Sequence, residues 1–135
     1  MATNCSITVM TKDHKFKTIY CHSDGYPQHA GKILLMHYNS QEKAEELISG
    51  GDISSLGERC DKPEGHSFEH PVKGYTVYYE RDGSEENKQA RTYYIFAHIL
   101  NKEGRDYNYV FDGKKWVCVK LSKNEYIYVD DYCAA

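Results

Sequence analysis

The chain has 135 residues, 40% hydrophobic and 27% charged, enough for one core and short for two ordinary domains. Its 13 Tyr separate it from aromatic-poor disordered chains, and 17 Lys plus Arg against 20 Asp plus Glu leave a net charge of −3, which argues against a general grip on phosphate backbones. The apolar runs fall far short of a membrane span and no secretory leader pattern opens the chain, so a cytoplasmic, non-membrane protein is expected, with its five cysteines reduced and no cofactor.

Along the chain, alternation from Cys5 to Met10 and from Phe16 to Cys21 predicts two strands joined by the turn at Lys12-Asp13-His14, an antiparallel hairpin. Pro27 suits a first helical position and Asp24 lies just upstream, so a helix is expected over about 27–38. Asn39-Ser40 supplies a cap for a second helix carrying Ala44, Leu47 and Ile48, which Gly50-Gly51 stops. Residues 57–73, rich in charge, Pro and Gly, form the longest loop and the expected mobile segment. Beyond it the pattern reads as strand throughout: Tyr75-Val77-Tyr79, Tyr93-Ile95-Ala97-Ile99, Tyr107-Tyr109-Phe111, Trp116-Cys118 and Tyr126-Tyr128. Asp112-Gly113 is the strongest hairpin signal, with positive φ expected at both residues. The expected architecture is a single α+β domain: ββαα followed by four or five mostly antiparallel strands, one sheet with two helices on one face.

The stretch Ile19-Tyr20-Cys21-His22-Ser23-Asp24-Gly25-Tyr26-Pro27, with Gly31 and Leu34-Leu35 after it, resembles a family of small uncharacterised phage and prophage proteins. Three later segments resemble the same family in the same order: Gly51-Asp52-Ile53-Ser54-Ser55-Leu56 with Leu47-Ile48 before it, Pro63-Glu64-Gly65-His66-Ser67-Phe68, and Tyr78-Tyr79-Glu80-Arg81-Asp82. Members of that family often read Arg-Asp-Arg-Gly-Glu at the last motif, where this chain reads Arg81-Asp82-Gly83-Ser84-Glu85. The resemblance spans roughly residues 5–86 and implies a phage accessory protein, with no reaction attached to it.

Several constellations invite chemistry. Asp24, Tyr26 and His22 or His29 stand around a helix N-terminus that favours an anion, although the same residues make an ordinary helix entry: Asp24 as cap, Gly25 at positive φ, Tyr26 as staple. Cys60, His66 and His70 are too loosely spaced for a structural zinc site, with or without Cys21 or His22. No Cys–His pair has a recognisable catalytic spacing, and Glu80, Asp82, Glu85 and Glu86 read as a solvated turn. The Tyr-rich strands are the most distinctive feature, and a sheet with one bare face would expose some of them to a protein partner. The expected function is therefore a non-enzymatic phage protein that binds and inhibits a host factor or defence system such as a CRISPR–Cas effector. Asp24, Tyr26, His29, Tyr78, Arg81, Asp82, Tyr94 and Tyr109 are its candidate contact residues, nucleic acid and metal are not expected, and a homodimer is possible. The alternative is an anionic-ligand binder or enzyme built on Asp24–His29 and Arg81, which a pocket joining those residues would favour.

Overall fold

In the computed structural model the described residues are 3–84, 89–120 and, for the backbone alone, 125–128. Glu85, Glu86 and Cys133 therefore lie outside the described residues. β1 (Cys5–Met10) and β2 (Phe16–Cys21) form the expected antiparallel hairpin, in register from Cys5↔Cys21 to Met10↔Phe16. A wide first turn, Pro27–Gly31, leads into α1 (Lys32–His37) with Pro27 at the first helical position. Ser40 caps α2 (Gln41–Ile48) by accepting the Lys43 N–H at 3.2 Å, and Gly51 just beyond it takes φ 87°.

β3 (Ile53–Ser55), β4 (Val77–Tyr78), β5 (Arg91–Tyr93), α3 (Phe96–Glu103), β6 (Tyr107–Phe111), β7 (Trp116–Lys120) and β8 (Glu125–Tyr128) complete the fold. The sheet runs β4-β3-β2-β1-β6-β7-β8, with β5 also on β2. β1 pairs β6 and β2 pairs β3 in parallel, and the remaining pairs are antiparallel. The α+β class stands, as a mixed sheet.

One sheet face carries the main core. Cys5, Ile7, Val9, Ile19, Cys21, Tyr109 and Phe111 close against Ala30, Leu34, Ala44, Leu47 and Ile48 from the helical segment, so α1 and α2 cover this face as expected. The opposite face is polar and equally buried. Ser6 donates to Asn108 at 2.8 Å, and Thr8 to Thr18 at 2.9 Å, which satisfies hydroxyls that would otherwise be costly to bury. Their cover is α3, whose Phe96 ring meets Phe16 at 6.0 Å and whose Ile99 is fully buried.

That cover corrects the sequence reading, which takes 93–99 as one strand. Tyr93, Ile95, Ala97 and Ile99 do recur every second residue, but Phe96, Ile99, Leu100 and Glu103 recur at helical spacing, and both periods fit so short a run. Burial of the second face selects the helix. The Asp112-Gly113 turn also differs from expectation: only Gly113 has positive φ, at 99°, and Asp112 Oδ1 accepts the N–H groups of Lys114 and Lys115 at 2.9 and 2.8 Å. A four-residue side-chain-braced turn replaces the two-residue one.

Candidate functional site

The residues singled out in the sequence separate into structural roles. Gly25 does not take positive φ; Asp24 does, at 54°, and it caps nothing, because the helix opens on extended Tyr26 with no side-chain cap. What Gly25 supplies is space. A Cβ there would sit 2.7 Å from Cys5 Cβ and 2.9 Å from the Asn4 carbonyl carbon, and its backbone is held by the Thr3 carbonyl and by the Tyr109 hydroxyl, each at 2.8 Å. Gly25→Val is accordingly expected to cost about 2–3 kcal/mol by overpacking, read as a lower thermal midpoint, and an unchanged midpoint would refute the close approach.

Tyr109 is therefore a buried strut and no contact residue. Tyr78 is buried as well, its hydroxyl donating to the Leu47 carbonyl at 2.5 Å and its ring lying 4.3 Å under the Arg81 guanidinium. Asp82, expected in a solvated turn, has a side chain with no exposure. Its Oδ1 accepts Arg81 Nε at 2.8 Å, and its Oδ2 accepts Tyr78 N–H at 2.8 Å and His66 Nε2 at 3.1 Å. His66 Nδ1 takes the Val72 N–H at 2.9 Å, which assigns the ring proton to Nε2. The segment read as a mobile loop is thus clamped from within, and Phe68 adds a ring contact with Tyr79 at 5.5 Å.

Burial alone would push the Asp82 carboxyl up, but the Arg81, Tyr78 and His66 hydrogen bonds and the Arg81 charge hold it below the usual carboxylate range. Cys60 donates to Glu46 Oε1 at 3.2 Å, and burial with that carboxylate pushes its thiol up to about 11, so it is no ready thiolate. Among the described residues no three His, Cys, Asp or Glu side chains come together as metal ligands.

The three residues of the expected ligand site line two different clefts. Asp24 and His29 line one cleft with Ile33, Leu56 and Tyr75, whereas Arg81 lines another beside Lys17 and Glu80. Of the proposed aromatic anchors Tyr94 stands clear, 74% exposed beside Ile95 at 53%, and Tyr26 is 37% exposed.

The chemistry gathers instead on the second sheet face, in a cleft of about 550 Å³ lined by Tyr20, His22, Asp52, Tyr79, Arg91, Glu103 and Arg105. Its origin lies in β2. The outer edge of that strand pairs with β5 as far as Thr18 and with β3 at Cys21, leaving the Tyr20 N–H without a strand partner. Asp52, aimed back by the positive φ of Gly51, fills the gap: its Oδ1 accepts the Tyr20 N–H at 2.8 Å. The same oxygen accepts Arg91 Nη1 at 2.8 Å, and Arg91 Nη2 donates to Glu103 Oε1 at 2.6 Å. The Tyr93 hydroxyl closes the group on Glu103 Oε2 at 2.6 Å.

Arg105 forms the other wall. Asn108 pins its backbone, accepting the Arg105 N–H and donating to its carbonyl, both at 2.9 Å. Its guanidinium lies 4.4 Å over the Tyr20 ring, and the Tyr20 hydroxyl is 2.7 Å from His22 Nδ1. Arg105 makes no ion pair among the described residues, and its buried Nε has no hydrogen-bond partner. Such an unmet donor is uncommon, and the same guanidinium lines the cleft.

The two carboxylates respond differently. Burial raises the Asp52 carboxyl above the usual range in spite of Tyr20 and Arg91, whereas at Glu103 the hydrogen bonds of Arg91 and Tyr93, with the charges of Arg91 and Arg105, outweigh burial and lower it.

Sequence reasoning met Tyr20, His22 and Asp52 inside the family-like stretches but gave the cleft to none of them. Asp52 had a signal, a charged residue directly after the helix-stopping Gly50-Gly51. Arg91, Glu103 and Arg105 had none, since their meeting depends on α3 being a helix. Comparison with known proteins returns no matching family model, curated protein or solved structure.

Proposed function

We propose that this chain is a non-catalytic binding protein, of the phage-accessory type that its motifs resemble, and that its working site is the Tyr20–Arg105 cleft, where it takes an anionic group. The observation that carries the reading is Arg105: a guanidinium held over an aromatic face, lining the cleft, and in no ion pair among the described residues. A guanidinium presents planar pairs of N–H donors that match a carboxylate, and on Arg105 the two terminal Nη groups are the ones left to meet it. Binding is favoured over acid–base catalysis because Arg91 and Tyr93 already engage Glu103, and Arg91 with the Tyr20 N–H engages Asp52.

The test is a titration of the full chain with acetate and with phosphate, followed by amide chemical shifts. Shifts centred on residues 20–22 and 103–105, weakened tenfold or more in Arg105→Gln and unaffected by Asp24→Ala, are expected. Shifts that survive Arg105→Gln, or that move to Asp24 and His29, would overturn it.

A second reading, the inhibitor of a host or defence-system protein acting in the host cytoplasm, is favoured by the adjacent exposure of Tyr94 and Ile95. If that pair anchors a partner, Tyr94→Ala lowers the affinity of a purified partner by about 2 kcal/mol without changing the melting temperature.

A further inference from the structure

Resting on the anion reading of the cleft, we infer that the guest is a small zwitterion, its carboxylate on Arg105 and its ammonium on Asp52. The charge pattern of the two walls carries this. On one wall two carboxylates, Asp52 and Glu103, share the single guanidinium of Arg91, so that wall is short of one positive charge. On the other wall Arg105 makes no direct ion pair among the described residues, although at longer range its charge helps to lower the Glu103 carboxyl. A lone anion would gain a direct partner only in Arg105, and a lone cation only on the carboxylate wall.

The hydrogen-bond inventory agrees with the charges. Asp52 Oδ1 accepts both the Tyr20 N–H and Arg91, whereas Oδ2 accepts from no described residue, although the side chain is only 6% exposed. Glu103, in contrast, has both oxygens engaged, Oε1 by Arg91 and Oε2 by Tyr93, so the ammonium falls to Asp52. Burial raises the Asp52 carboxyl, and the charge of a guest ammonium would act in the opposite direction. A guest held at both ends also discriminates, because a molecule lacking one group leaves a desolvated charge unpaired. The space, about 550 Å³, admits an amino acid with room for a side chain.

The experiment titrates the full chain, by amide chemical shifts, with propionate and with glycine, β-alanine and 4-aminobutyrate, which add an ammonium at increasing distance from the carboxylate. At least one of the three is expected to bind tenfold or more tightly than propionate, and that ratio should collapse towards one in Asp52→Asn. Asn keeps an oxygen for Tyr20 and Arg91, and if the variant nevertheless fails to fold, the wild-type ratio decides alone. Propionate binding as tightly as every amino acid overturns the zwitterion while leaving the anion site in place. No shift at residues 20–22 or 103–105 with any of the four overturns both.

Discussion

Asp82→Ala is expected to destabilise the protein by about 3–5 kcal/mol, because it leaves Arg81 and the buried His66 facing an empty acceptor and strips the Tyr78 N–H of its partner. The loss should be local first. His66, Phe68 and Val72 are held to the sheet through this carboxylate, its His66 bond and the Phe68 N–H bond to the Asp82 carbonyl at 2.6 Å, so amides between residues 63 and 76 should exchange fastest in the variant. The same carboxylate sets an acid limit. With its folded pKa lowered, the stability it contributes is complete above its unfolded value, about 3.9, and drains away as the pH falls through the lower folded value. Glu103, lowered likewise, acts in the same sense, and Asp52, raised, acts in the opposite one. Wild type is therefore expected to lose stability below about pH 4, and Asp82→Ala to show a shallower decline there. Equal slopes in acid denaturation curves would show that Asp82 is not the group that titrates.

Trp116→Ala is expected to cost about 3–5 kcal/mol as well, by a different route. Trp116 is 1% exposed, its ring centroid lies 5.3 Å from that of Phe111, and its Nε1–H donates to the Tyr38 carbonyl at 3.0 Å just past the end of α1. Truncation opens a cavity between sheet and helix and orphans that carbonyl. Trp116→Phe, which keeps most of the volume and loses the donor, should fall well between the two in urea denaturation. A Phe variant as unstable as the Ala variant would place the effect in the hydrogen bond instead of the packing.

Much of the frame was legible in local pattern. The hairpin follows from strict alternation at Cys5–Met10 and Phe16–Cys21, and α2 from Ser40, its apolar spacing and the two glycines, because each of these signals acts over a few residues. The family-like motifs were legible as units, but their meaning was not. His66 and Asp82 lie sixteen residues apart and are each other's partners, so the motifs that look like functional signatures include both halves of one buried clamp. Tyr78 and Tyr109, chosen as contact residues from alternation, lie on inward faces because alternation reveals that a strand has two faces and not which of them is covered. Only the tertiary structure decided that. A strand period over 93–99 overlaps a helix period over 96–103, and the buried polar face of the sheet selects the helix. With that choice Glu103 and Arg105 come to rest against Arg91 and Tyr20, and the cleft exists. Its charged residues come from the turn before β3, β5, the end of α3 and the loop before β6, with Arg105 meeting Tyr20 of β2 across 85 residues, and no window of sequence holds enough of them to be seen.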